Sequence, residues 1–136
     1  MMLAQAILYL FPTARFSPGG DVSIENSGAG PYIAAWRRAE PQPTAAQITA
    51  AMLPATKAAR IEADRAECRR RLTEHYGDAL EQVSRAAGLY TAAAQTSHAL
   101  GVQASIDASN VARDTINAAA TIAAVEAVPV AWPVLT

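Results

Sequence analysis

The sequence predicts an α+β fold: a small N-terminal helix plus β-hairpin head, followed by an alanine-rich, mostly helical C-terminal part. Three observations lead there. Residues 21–26, DVSIEN, alternate apolar and polar side chains as a half-buried strand does. Residues 26–30, NSGAG, tolerate positive φ and let the chain reverse. From Thr44 to Val128 alanine dominates, and apolar residues recur at helical spacing with only short breaks. The expected organisation is a head over 1–40, a proline-rich link over 41–44, and a helical arm with an extended tail over 45–136.

Taken in order, the first element is a short helix from Leu3 to Leu10, stopped by Pro12, whose ring cannot continue a helix. No positive charge precedes its apolar run, and the run is too short to span a membrane, so neither a signal peptide nor an anchor is expected. The strand Asp21–Asn26 follows, with Val22 and Ile24 on one face. After the glycine turn, PYIAAWR forms the second strand, with Tyr32, Ala34 and Trp36 expected on one face and Ile33 and Ala35 on the other. Tyr32 and Trp36 have two readings, as core of the head or as part of a partner surface, where Tyr and Trp are enriched. Pro41 and Pro43 favour an extended exit, and Thr44 is placed to cap the next helix.

The arm opens with PTAAQITAAML, a short helix expected to be interrupted or kinked at Pro54. A long helix then carries the stripe Ile61, Cys68, Leu72, Tyr76, Leu80, Val83, Ala87 and Tyr90, with soft spots at Gly77 and Gly88. A further helix carries Val102, Ile106, Ala112 and Ile116 among small residues that permit close helix approach. Thr121 is a candidate N-cap for IAAVEAV, Pro129 ends that helix, and PVAWPVLT leaves as an extended tail.

Composition narrows the function classes. The chain has 136 residues, of which 51% are hydrophobic, but alanine supplies much of that share. Alanine buries little area, so stabilisation at about 25 cal/mol per Å2 accumulates slowly and a partner is expected to complete the packing. A net charge of −1 gives no electrostatic footprint for nucleic acid or an anionic membrane. The single cysteine, Cys68, excludes an internal disulfide, fits a reducing compartment, and sits on the apolar stripe as a small hydrophobe.

Candidate chemistry is thin. Glu74, His75 and Asp78 cluster near Gly77, but neighbours on one helix diverge and no nucleophile accompanies them. His98 lacks a second ligand at helical spacing, so no metal site is expected. Arg65, Arg69, Arg70 and Arg71 interleave with Glu62, Asp64, Glu67 and Glu74 as on a salt-bridged helix face. SPGGD is a lone glycine pair, not a phosphate loop. The expectation is a protein without catalytic residues, cofactor or metal.

The order AQAILYLFP, alternating strand, SGAGPYIAAW with Trp36, and PQPT opening an alanine-rich helix resembles small tailed-phage tail-fibre assembly proteins over about residues 3–55. The stretch ARDTINAAATIAAVEAVPVAWP is similar to their closing helix pair and tail, while the centre, about 60–100, has no counterpart. The resemblance implies a non-enzymatic chaperone that binds a trimeric tail fibre in the host cytoplasm and assists its folding, assembly or tip capping. The alternative is a structural subunit retained in the tail fibre or baseplate, and self-association stays open. The expected partner-binding residues are Tyr32, Ile33 and Trp36 on the hairpin, with Ile106 and Ile116 on the later helix.

Overall fold

A computed structural model describes residues 2–136. The fold is α+β, in the order α1 (Met2–Leu10), β1 (Val22–Asn26), β2 (Pro31–Trp36), α2 (Ala45–Tyr76), α3 (Ala79–Ala86), α4 (Ala92–Ala118) and α5 (Ile122–Glu126). The chain divides into two compact units, residues 1–59 and 60–136.

In the first unit the buried cluster is Leu3, Ile7, Ala14 and Val22, with Phe11, Phe16, Ile24, Ile33, Trp36 and Ile48 packed against it. Leu3, Ala6 and Ile7 recur at helical spacing, so α1 presents one buried face. The hairpin is antiparallel and pairs Val22 with Trp36, Ile24 with Ile33, and Glu25 with Tyr32. Its register slips between Ser23 and Ile24, leaving Ala34 as an extra residue on β2. That bulge corrects the expected alternation. One inserted residue shifts the period-2 pattern by one, so Ile33 and Trp36 both reach the core while Tyr32 stands out beside Glu25.

Asp21 and Arg38 lock the segment between α1 and the hairpin. The Asp21 carboxylate accepts the Arg15 N–H at 2.6 Å and pairs with the Arg38 guanidinium. Arg38 also bonds Thr13 Oγ1 and Glu40 Oε1 and lies over the Phe11 ring. The Arg15 N–H first, against the cost of burial, and then Arg38 hold the Asp21 carboxyl below its ordinary value. A depressed carboxylate stabilises the fold above its unfolded value, and that contribution is lost as pH falls through its folded value. The first unit should therefore melt at lower temperature at about pH 3 than at about pH 7. Asp21→Asn should shrink that difference, read by Trp36 fluorescence during thermal melts in a Trp132→Phe background.

Thr44 and Gln47 form a reciprocal cap at the start of α2: the Gln47 N–H donates to Thr44 Oγ1 and the Thr44 N–H to Gln47 Oε1. Against expectation, α2 runs through Pro54 as one helix of 32 residues. Proline removes a single backbone donor, and the turns on either side keep their own bonds. Beyond it the long helical stretch breaks at both of its soft spots, Gly77 and Gly88, into the end of α2, α3 and the start of α4. Gly77 at φ +91 ends α2, and Asp78 with Glu81 forms a capping box that restarts the chain as α3. The break also splits the stripe: Cys68 and Tyr76 are buried, whereas Leu80, Val83 and Tyr90 are exposed.

The second unit buries Cys68, Tyr76, His98, Ser105, Ala112, Ile116, Val125 and Val128. Its arginines behave as the spacing predicts, with Arg70 bridging Glu67 and Glu74 and Arg69 reaching Glu62. Arg70 and then Arg71 lower the Glu67 carboxyl to about 2. Exposed pairs of this kind add little stability and keep the face solvated. Thr121 caps α5 through the Ala124 N–H.

Tyr76 is the pivot of this unit. Its hydroxyl donates to the Ser97 carbonyl at 3.0 Å, and its ring meets His98 and His75 edge-on. A Cβ built on Gly101 would stand 1.9 Å from that hydroxyl and 2.9 Å from the ring carbon bearing it. Gly101→Ala would gain about 1 kcal/mol of helix propensity but should lose about 1–3 kcal/mol by forcing a buried ring to shift. A net fall in stability is expected on chemical denaturation. Combining it with Tyr76→Phe should recover part of the loss, because the phenylalanine ring has no hydroxyl at the point of contact.

Candidate functional site

The first unit carries an apolar groove of about 680 Å3 between α1, the hairpin turn, β2 and the first turns of α2. Met2 and Leu3 form one wall, Ala29 to Ile33 another, and Pro43, Ile48 and Met52 the third. Among the described residues none of the lining side chains is charged; Gln42, Thr49 and the Tyr32 hydroxyl are the polar groups.

Local sequence explains each wall. The Asn26 side chain accepts the Gly28 N–H at 3.1 Å, an Asx turn that reverses the chain and brings Pro31 to Ile33 alongside. Pro43 is buried while its neighbours are exposed, so the link places a fixed apolar ring between hairpin and helix. Ile48 and Met52 are one helical turn apart on α2 and share a face.

At the rim, Tyr32 is 44% exposed and Met2 46%. The Tyr32 hydroxyl donates to Glu25 Oε2 at 3.0 Å, which fixes the ring and raises its ionisation above the ordinary value. Around the helix, Leu8, Tyr9 and Leu10 are also exposed. Leu10 and Phe11 line a smaller cleft of about 240 Å3 with Pro41, Pro43 and Gln47.

The hairpin edges differ. The outer side of β1 is engaged at its start, where the Val22 N–H donates to the Arg15 carbonyl at 3.1 Å. Among the described residues, no backbone hydrogen bond from outside the hairpin joins β2.

Of the five residues expected to bind a partner, the structure brings Tyr32 and Ile33 together in the groove. Trp36 lies behind it, packed edge-on against Phe11 at 5.1 Å with its Nε1–H donating to the Glu40 carbonyl. Ile106 belongs to the second unit, where it is 42% exposed and lines a small cleft with Arg65, Cys68 and Arg69. Ile116 is 0% exposed and is core, not surface, which corrects its expected role. The two isoleucines lie ten positions apart, so at 100° per residue they point about 80° from one another. Met2, Pro43, Ile48 and Met52 were not anticipated. Their sequence signal is faint: flexible Met side chains suited to adaptable contacts, flanking a proline link.

Among the described residues, no group of three or more His, Cys, Asp or Glu side chains is arranged to hold a metal ion. No described helix is long and apolar enough to cross a membrane. Neither a curated protein nor a solved structure gives a match to the chain. Residues 3–60 match the family described as XkdW protein, a phage-associated family, and this similarity over α1, the hairpin and the opening of α2 supports a phage-related protein.

Proposed function

We propose that the chain is a non-enzymatic assembly chaperone that binds a phage tail-fibre protein, itself trimeric, in the host cytoplasm. The observation that carries this reading is the uncharged groove rimmed by Met2 and Tyr32, which lies almost wholly within the span similar to a phage-associated family. An apolar groove beside a strand edge suits an extended segment that is unstable before assembly: β2 offers main-chain hydrogen bonds, and the pocket takes alternate side chains. Because no described lining side chain is charged, affinity should change little between about 0.05 M and about 0.5 M salt.

The test is co-expression of the fibre with the wild-type chain, with Tyr32→Ala, and without the chain, scoring soluble trimeric fibre. Yield should rise with the wild type and fall back with Tyr32→Ala, whose affinity should drop about tenfold. Equal yields in all three, with no co-elution on gel filtration, would remove the proposal. Stoichiometric recovery of the polypeptide from purified virions would favour the retained structural subunit instead.

A further inference from the structure

We propose that the second unit carries a peptide-binding cleft along the latter half of α2, occupied in cis by the chain's own C-terminal segment and open to the same segment from a second copy. The segment 129–136 has no regular secondary structure. Arg60 fixes its root by donating to the Glu126 carbonyl at 3.1 Å and the Val128 carbonyl at 2.7 Å. About three helical turns further along α2, Arg71 lies over the Trp132 ring at 5.4 Å. The Tyr76 hydroxyl, whose proton goes chiefly to the Ser97 carbonyl, shares it with the Thr136 carbonyl at 3.4 Å. Most of these anchors read backbone carbonyls, and one reads an aromatic face.

The seat is incomplete. Val128 is buried, but beyond it Val134 is 92% exposed. A cleft of about 470 Å3 remains beneath the tail, lined on the α2 side by Arg70, Arg71, Glu74 and His75. Past Val128, among the described residues, Arg71 over Trp132 and the long Tyr76 hydrogen bond are the directional anchors, while Trp132, Pro133 and Leu135 are half-buried, so release exposes apolar side chains that an equivalent cleft can cover again. Pro129 and Pro133 keep the released segment extended and lower the cost of ordering it again. The occupant whose chemistry already fits these anchors is this segment, and a second copy carries an identical one. From its root at Val128 to the Trp132 anchor the chain reaches at most about 14 Å, enough to cross between copies whose α2 clefts touch. A short tether holds the cis tail at a local concentration in the millimolar range, so exchange emerges at high protein concentration or when the cis contact is weakened.

A fluorescent peptide of residues 127–136, titrated into the full-length chain, tests this. Binding to the wild type should be weak and saturable, and about tenfold tighter to the Trp132→Ala chain, whose own tail competes less well. Arg71→Ala in that background should abolish the gain. Light scattering on the wild type should show dimers growing with concentration and dissolving on addition of excess peptide. If Trp132→Ala fails to fold by circular dichroism, Trp132→Phe should give the same ordering with a smaller gain. Absence of saturable binding to the tail variants, binding indifferent to Arg71→Ala, or dimers indifferent to the peptide would each overturn the proposal.

Discussion

Replacing Ile116 with aspartate is expected to unfold the second unit, at a cost above about 5 kcal/mol. Ile116 is 0% exposed, and Val125 and Ser105 are buried in the same unit. Removing the isoleucine forfeits about 3 kcal/mol of burial and cavity energy. Placing a carboxylate there adds the desolvation of an unpaired charge, and a small unit has about 5–15 kcal/mol in total to lose. Ile106→Asp, in the same helix, should change stability by less than about 1 kcal/mol, because that side chain is 42% exposed and can turn the charge to water. Far-UV circular dichroism in urea separates the two. Equal effects would mean that the burial of α4 has been misassigned.

Trp36→Ala should cost about 3–4 kcal/mol in the first unit. The ring packs against the Leu3–Ile7–Val22 cluster and edge-on against Phe11, and its Nε1–H holds the Glu40 carbonyl at the approach to the proline link. The mutation therefore removes area, an aromatic pair and a hydrogen bond together. Tyr32→Ala, two-fifths exposed and with its hydroxyl on the exposed Glu25, should cost less than about 1 kcal/mol. The pair makes a functional test clean. Partner binding lost with Tyr32→Ala at unchanged stability would be a surface effect, whereas the same loss with Trp36→Ala would follow from unfolding.

The hairpin and the helical remainder were legible in the sequence because each has its own period. Val22 and Ile24 alternate, the glycines of NSGAG mark a reversal, and Thr44 and Thr121 sit where caps are wanted. What stayed hidden had no side-chain signal. Nothing in PYIAAW betrays that the strand bulges at all, and unbroken alternation groups Trp36 with Tyr32 rather than with Ile33, although its reading as core stands. Pro54 gives a strong local signal that the flanking helix overrides. The stripe Leu80–Val83–Tyr90 looked continuous with Cys68 and Tyr76 because the spacing persists across Gly77, although the chain direction does not. The groove was half legible: Tyr32 and Ile33 draw notice by type, whereas Met2, Ile48 and Met52 reach it only through tertiary placement.

Cys68 gives the second unit a built-in clock. It is the chain's single thiol, it is 8% exposed, and burial pushes its ionisation above the ordinary value. A thiol that is both largely shielded and protonated reacts slowly with maleimide or disulfide reagents, and faster whenever the cleft it lines with Ile106 opens further. The labelling rate of the untouched wild-type protein thus tracks local opening of this unit. It does so without any engineered probe, and mass spectrometry can read it in a mixture of many other proteins.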